Sequence, residues 1–497
     1  MKIEKRRHKG LKTILIILGV AIVSTGTFFG YQFFTETGIF FKPGVITYDE
    51  HLTEEEKQKL TAVFTEDVIL KTDLNITVTE QLEKPTLKNN EFIVDIFVPV
   101  TNFYSLETSV PSETYFRDGF KQQCNCGVNL ISINYLQPTD RLLAIDNNYY
   151  LDTFDKGAIY RVIHFNSDNY EGEIEEKVKD LFTMKPLAKS DVLTFAQTGV
   201  TALSRGMYTK LKEQNYDGTY FSANIKDFLS SFDLTHTSNE SSFSGYAYDG
   251  NICSHPSFLN TLLDIGLDIV ELTGNHNVDC GYDPARETID MYAEQGIKIV
   301  GGGKNATEAA IPLEISEKNT NITMLAYNQS TGGATRDNNP GANQYYEDDA
   351  ATRISAAKAK GDFVIVDIQY YECSAYASTY EDPICDYADS AAGDQIGFFR
   401  HLIDLGADIV VGTSAHQPQT YELYNGGAIY YGLGNLFFDQ VWWPGTTRSL
   451  VLGHYFKDGK LLQTRIYPTV YDTTMQTKLM DADTTRWYLD RLQKARP

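Results

Sequence analysis

The sequence has no Cys-x-x-Cys pair, no low-complexity tract and no interrupting block of charge in its 497 residues, and it is short of positive charge. Each absence excludes something. Without cysteines paired at short spacing, a Cys-cluster metal site falls away. With 42% apolar residues and no biased tract, the composition is that of a globular protein rather than a disordered one. Lys and Arg number 43 against 66 Asp and Glu, a net charge of −23, and the few basic clusters sit at the extreme N-terminus. That balance argues against nucleic acid as a partner. A chain of this length exceeds one ordinary core, so two or three folded units are expected.

What is present begins with a long apolar run. Residues 13–34 carry no charge and are dominated by Ile, Leu, Val and Phe, enough to cross a bilayer core of roughly 30 Å as a helix. Lys2, Lys5, Arg6, Arg7, Lys9 and Lys12 precede it and Glu36 follows. The positive-inside rule then leaves the tail 1–12 in the cytoplasm and the bulk of the chain outside, on a single-pass membrane anchor. A cleaved signal peptide is the competing reading; its apolar region would be unusually long, and no clear small-x-small site follows. The six cysteines suit an oxidising space: Cys124 lies near Cys126, Cys373 near Cys385, and Cys253 and Cys280 share one segment. Spacing alone leaves disulfide connectivity open, with buried thiols as the alternative.

After the anchor, 35–47 reads as a linker with a Pro43-Gly44 break, and 48–190 as a small α/β domain. Thr53 and Glu56 form a capping-box pattern opening a helix through about Glu66. Strands are expected at Phe92 to Val100, Val128 to Tyr135, Leu142 to Ile145 and Ala158 to Phe165, with a charged helix from Glu173 to Phe182. From 191 to 497 apolar strands alternate with amphipathic helices, the pattern of a largely parallel or mixed sheet. These strands fall at Val192 to Gln197, Leu234 to Thr237, Ile269 to Leu272, Lys298 to Val300, Thr323 to Ala326, Phe363 to Ile368, Ile409 to Val411 and Ala428 to Tyr431. A last helix is expected from Thr484 to Ala495.

One internal echo points to a site. Leu262-Leu263-Asp264-Ile265-Gly266-Leu267-Asp268-Ile269-Val270 leads to His276, and Leu402-Ile403-Asp404-Leu405-Gly406-Ala407-Asp408-Ile409-Val410 leads to His416. In each, the Gly suits a left-handed helix cap, and the His follows it by ten positions. Both histidines would emerge at carboxyl ends of strands, where open α/β sheets collect ligands. Asn239 and Glu240, Asn275 with Asp279, Gln369 and Asn435 fall at comparable strand ends. A carboxylate, amides and two imidazoles on one sheet edge suit phosphate handling or a metal ion. The alternative for each is an ordinary polar turn residue.

Gly274-Asn275-His276 with Asp279 and Gly281, followed by Gly301-Gly302-Gly303-Lys304-Asn305 and Glu308-Ala309, resembles the CapA family. This is the capsule and poly-γ-glutamate biosynthesis branch of the calcineurin-like metallophosphoesterases. Gly406 to Gly412 with His416, and Tyr431-Gly432-Leu433-Gly434-Asn435-Leu436-Phe437-Phe438-Asp439, are similar to its later blocks. The resemblance runs from about Val192 to Tyr455. It implies an α/β fold: a metallophosphoesterase-like β-sandwich flanked by helices, preceded here by the small α/β domain and one transmembrane helix. It also implies a dinuclear metal edge in active relatives. This chain departs from the pattern. Gly199-Val200 stands where the family usually has Gly-Asp, Gln369-Tyr370-Tyr371 where it has His-Trp-Gly, and Gly412-Thr413-Ser414-Ala415-His416 keeps only the last His of its block. The retained groups are Glu240, Asn275, His276 and His416.

The resemblance therefore implies a membrane-anchored protein assisting synthesis, transfer or attachment of an anionic capsule or envelope polymer. Its partners would be that polymer or its precursor and membrane synthases. At most one divalent ion, Zn or Mn, is expected on Glu240, His276 and His416, or none. His276 is the candidate acid or base and Asn275 an orienting amide, with Asn239, Asp279, Gln369 and Asn435 in support. The alternatives are a metal-dependent phosphoesterase or hydrolase of a polymer or lipid-linked intermediate, and a non-catalytic scaffold.

Overall fold

The computed structural model describes residues 46–63, 74–113, 127–166, 184, 186–330, 332–335, 337–372 and 393–497. The apolar run 13–34, the expected helix Glu173 to Phe182 and Cys124, Cys126, Cys373 and Cys385 lie outside these. Among the described residues no helix is long and apolar enough to cross a membrane. The chain divides into two compact units, Met1–Val98 with Asp155–Pro186, and Pro99–Phe154 with Leu187–Pro497. Residues 99–154, grouped with the small domain on sequence, fall in the second unit.

In the first unit, β1 (Ile46–Tyr48), β2 (Leu74–Glu83), β3 (Glu91–Asn102) and β4 (Lys156–Asn166) hydrogen-bond in the order β1-β2-β4-β3, with β3 running on into the second unit. Helix α1 (Glu54–Val63) opens with both arms of the expected capping box. Thr53 N donates to Glu56 Oε2 at 2.6 Å, and Glu56 N to Thr53 Oγ1 at 3.2 Å. Ile46, Leu60, Ile76, Phe92, Ile163 and Phe165 make the core. Arg161, nearly buried, donates to Glu56 at 2.9 Å and to Glu80 at 2.8 Å.

The second unit holds two sheets. The first contains β5 (Leu193–Thr201), β6 (Leu234–Asn239), β7 (Ile269–Glu271), β8 (Lys298–Val300), β15 (Asn435–Phe437), β16 (Arg448–Lys457), β17 (Lys460–Val470) and β18 (Lys478–Leu479). Their order is β8-β7-β6-β5-β16-β17-β18, with β15 also on β5. The second contains β9 (Leu313–Glu317), β10 (Thr320–Asn328), β11 (Phe363–Gln369), β12 (Ile409–Thr413), β13 (Tyr421–Tyr424) and β14 (Gly427–Tyr430), ordered β9-β10-β11-β12-β14-β13. β5 to β8 pair in parallel, as do β10, β11, β12 and β14, so within each set the carboxyl ends gather at one edge.

Side-chain alternation along these strands builds the layers. Phe195, Leu234, Ile269 and Leu452 of the first sheet share one cluster with Ile322, Met324, Ile365, Ile409 and Val411 of the second, a face-to-face packing. On the outer faces, α2 (Gly206–Glu213), α3 (Leu259–Asp264) and α4 (Tyr282–Glu294) cover the first sheet through Met207, Leu211, Leu262 and Tyr292. Helices α5 (Glu347–Lys360) and α6 (Gln395–Asp404) cover the second through Ile354, Phe399 and Leu402. The last helix, α7 (Ala482–Lys494), starts slightly earlier than expected because Asp481 caps it, accepting from Thr484 N at 2.9 Å.

Two expected strands are interrupted. Val128 to Tyr135 is a strand only over Asn129–Ser132 before a tight helical turn. Leu142 to Ile145 splits at Leu143, because Asp140–Leu142 pairs with β3 while Ala144–Ile145 pairs with Ser109–Val110. Gly266 and Gly406 cap α3 and α6 with φ of +69° and +114°, the left-handed conformation expected of them.

Candidate functional site

Glu240 follows β6 directly, and its N–H donates to Thr201 O at 2.9 Å, which holds the residue at the sheet edge. It is completely buried. The loop from β7 can lie on it because residue 274 is Gly: a Cβ there would stand 2.7 Å from Glu240 Cα. That loop carries Asn275 and His276. Gln369 closes β11, and His416 stands three positions beyond the end of β12.

These groups meet. Gln369 Nε2 donates to Asn275 Oδ1 at 3.1 Å and, at the limit of 3.5 Å, to Glu240 Oε1. Thr413 Oγ1 donates to Gln369 Oε1 at 3.2 Å. His416 Nε2 lies 3.9 Å from Glu240 Oε2, which has no hydrogen-bond partner. Its Nδ1 is 2.8 Å from Asn435 Oδ1, and its ring packs on Phe438. His276 Nδ1 is 2.7 Å from Asp279 Oδ2. With Asn275 Nδ2 3.3 Å from His276 Nε2, Glu240, Asn275, His276, Asp279, Gln369, His416 and Asn435 form one connected group. Asn239 is turned elsewhere: its amide donates to Ser241 O and to the Tyr292 hydroxyl, both at 2.8 Å. It supports α4 rather than the cluster.

A further carboxylate, Glu372, reaches the same point. Its Oε1 accepts from Asn275 Nδ2 at 3.0 Å and lies 3.7 Å from His276 Nε2 and 3.9 Å from His416 Nε2. The sequence reading stopped at Gln369, where the strand ends. The available signal was an acidic residue three positions past an amide already singled out.

The electrostatics divide the two carboxylates. Burial pushes Glu240 up, against the pull of His416 and His276. Glu372 is held well below the usual carboxylate range by His276 and His416. Burial opposes charge on His276, but Asp279 and Glu372 outweigh it and push the imidazole up to about 10. His416 is also raised, with burial overcome by Glu240 and Glu372. Carboxyl groups whose environments drive their proton affinities apart are suited to acid–base division of labour. Access comes from one side: His276 and Glu372 side chains are 24% and 39% exposed, whereas Glu240 and His416 are at 0% and 3%.

Two loops of the site are fastened together. Cys253 and Cys280 form a disulfide, and the Ser242 hydroxyl bonds to Asn277 O. The stretch after Glu240 is thereby tied to the stretch carrying His276.

Behind the site, the inward faces of the strands turn polar. Gln197, His236, Glu271, Asp367 and His454 are all at 0–1% exposure. Gln197 Nε2 donates to Asp367 Oδ1 at 2.6 Å, and His236 Nε2 lies 3.3 Å from Asp367 Oδ2. His454 Nε2 is 3.2 Å from Gln197 Oε1. None of these was singled out on sequence, although Asp367 interrupts the otherwise apolar Phe363 to Ile368.

The donor set decides which metal load the fold could carry. Glu240, Glu372, His276 and His416 are two carboxylates and two imidazoles, a set suited to one zinc or manganese ion. The unpartnered, fully buried Glu240 Oε2 faces that space. Among the described residues, however, no three His, Cys, Asp or Glu side chains stand, as placed, in a group that could hold a metal ion. A second ion does not fit. Val200 is buried and apolar at the end of β5, and Gln369 is spent on Glu240 and Asn275.

Residues 194–440 match the family described as "Bacterial capsule synthesis protein PGA_cap". The chain is similar to the PGA biosynthesis protein CapA of Bacillus subtilis (strain 168), at 29% identity over 204 residues, 40% of this chain and 50% of that protein. It is similar to the capsule biosynthesis protein CapA of Bacillus anthracis, at 26% over 202 residues, 39% of this chain and 46% of that one. A probable polyglutamine synthesis accessory protein of Mycobacterium tuberculosis is 30% identical over 198 residues, 37% of this chain and 49% of that one. The chain spans about half the length of the curated relatives it matches.

Proposed function

From the premise that this chain belongs, through residues 194–440, to the CapA family of bacterial capsule synthesis proteins, we propose that it assists synthesis, transfer or attachment of an anionic envelope polymer at the outer face of the cell membrane. The observation that carries this is a coincidence of position. The residues matched to the family are those that bring Glu240 and His276, from the first sheet, and His416, from the second, to one cluster at the strand ends. The paired sheets with helices on both outer faces support a metallophosphoesterase-like sandwich. The run 13–34 would anchor the chain, with 1–12 in the cytoplasm and the remainder outside.

In this reading the site holds a single divalent ion on Glu240 and His416, with His276 at the open side. The ion would supply positive charge to bind an anionic group of the polymer, which the acidic chain otherwise repels. His276, fixed through Asp279 on Nδ1, presents Nε2 toward the same space as the ion's ligand on the open side. Asn275 orients Glu372 and His276.

Deletion of the gene in an encapsulated host, with complementation by wild type or Glu240→Gln, tests the role. Wild type is expected to restore surface polymer and Glu240→Gln to fail; unchanged polymer after deletion would sink the proposal. Protease added to intact cells should digest the portion after Gly38, and its protection would refute the orientation. The hydrolase reading is favoured by the accessible His276. Rapid metal-dependent phosphodiester turnover lost in His276→Ala would replace the accessory role with it.

A further inference from the structure

We propose that Glu372 is a direct metal ligand of the strand-end site, an anionic arm standing in for ligands that this chain lacks. The inference rests on the single-ion reading above and deepens it. By resemblance, a carboxylate is missing at Val200 and an imidazole at Gln369, so the first sheet brings one buried anion, Glu240, to the edge. One carboxylate with two imidazoles leaves a divalent ion with one formal negative charge around it. A second carboxylate makes the site neutral overall, which repays far more of the cost of stripping water from the ion.

Position supports the assignment. Glu372 lies three residues beyond Gln369, the last residue of β11, so it enters from the same strand end as the lost imidazole. Its Oε1 is 3.7 Å from His276 Nε2 and 3.9 Å from His416 Nε2, while Glu240 Oε2 is 3.9 Å from that same His416 nitrogen. These separations are too long for hydrogen bonds. They are close to the spacing of neighbouring ligands on one zinc: two donors at about 2.1 Å subtend roughly 3.4 Å across a tetrahedral angle. A slight inward turn of the side chains would therefore close the set. The second observation is independent of Glu372. Glu240 Oε2 is fully buried, lacks any hydrogen-bond partner and faces this space. A buried carboxylate oxygen left unmatched in this way is costly unless something cationic meets it. Asn275 Nδ2, at 3.0 Å, holds Glu372 in place, as a ligand's supporting hydrogen bond does.

The test is cobalt(II) titration of the purified, metal-stripped full-length chain in detergent, followed by visible absorption and calorimetry. Binding and spectrum are read, not turnover. Wild type should bind one cobalt per chain with ligand-field bands of low coordination number. Glu372→Gln should weaken binding by more than about 100-fold, since even supporting groups cost 10–100-fold, and should alter the bands. Glu372→Asp, which keeps the charge on a shorter arm, should fall between. Glu347→Gln, at an exposed carboxylate paired with His401 at 2.5 Å, is the control and should match wild type. Far-ultraviolet dichroism checks that each variant is folded. If Glu372→Gln and Glu372→Asp both bind within about threefold of wild type while Glu240→Gln loses binding, the Glu372 assignment is wrong and the single-ion reading stands. If wild type itself takes up no cobalt, both fail together.

Discussion

Two groups of carboxylates and imidazoles lie along the same strands, one sealed between the sheets and one at their ends, and they settle their charge in opposite ways. In the interior, burial pushes His454 down to about 3, and burial with the nearby Asp367 charge pushes Glu271 up to about 8. Both therefore stay neutral at ordinary pH. At the strand ends, where His276 and Glu372 reach solvent, pairing wins: His276 rises to about 10 and Glu372 falls. The same functional groups become neutral structure in one place and charged chemistry in the other. Access to water and the presence of an opposite partner make the difference.

Breaking the interior should have the largest effect. Asp367→Ala removes the acceptor of Gln197 and the partner of His236 in a fully buried place. A loss of about 3–5 kcal/mol of stability is expected, read by urea unfolding. The disulfide belongs to the strand-end loops alone. Opening the Cys253–Cys280 link, which spans 27 positions, in Cys253→Ser/Cys280→Ser should cost about 3.5 kcal/mol on the loop-entropy estimate. Hydrogen exchange should rise first around residues 240–254 and 275–281, leaving the sandwich interior protected.

The pH profile sharpens the contrast. The unfolded chain protonates His454 below its ordinary 6.5, whereas the fold refuses that proton until about 3, so stability falls as pH drops through this window. The fold keeps a proton on Glu271 that the unfolded chain releases above 4.5, so stability falls as pH rises from there to about 8. Each slope is about 1.4 kcal/mol per pH unit. The two cancel between pH 4.5 and 6.5 and leave a plateau with a decline on either side. His454→Gln should flatten the acid limb and Glu271→Gln the alkaline one, in unfolding curves recorded across the range. The smallest effect is expected from Glu372→Gln, less than about 1 kcal/mol, because its ion pairs are partly exposed. A change above 2 kcal/mol would show that the strand-end cluster is built for stability like the interior.

Much of the fold was legible because the strands repeat a simple pattern. Phe363 to Ile368 is apolar except at Asp367, as befits a strand covered on both faces, and it is β11 within one residue. The Gly-to-His echo was legible for a related reason: in each sheet a helix cap followed by a parallel strand, β7 in one and β12 in the other, delivers the next loop to the strand-end cluster. His276 and His416 do meet around one carboxylate, Glu372. Glu372 was marked only by standing three positions past Gln369, and that signal was too weak alone because its place depends on loops from β7, β11 and β12 converging. The role of Asp367 was not legible either, because it depends on His236 and Gln197 of the opposing sheet. The pairing of Cys253 with Cys280 likewise needed the fold, since spacing cannot choose between partners.

Val200 carries a consequence for any redesign of this site. It is 1% exposed at the end of β5 and paired in the sheet with Ser238 and Asn435, and its N–H donates to Gly434 O at 2.8 Å. The neighbouring Gly199 is locked by the same crossing, since a Cβ there would stand 2.1 Å from Gly434 O. An aspartate placed at position 200 would enter a dry, backbone-paired place beside the already buried Glu240. Two such anions raise each other's cost unless a cation arrives in the same step. A single substitution in that direction is therefore harmful by itself. A second cation site built at this edge requires several substitutions made together.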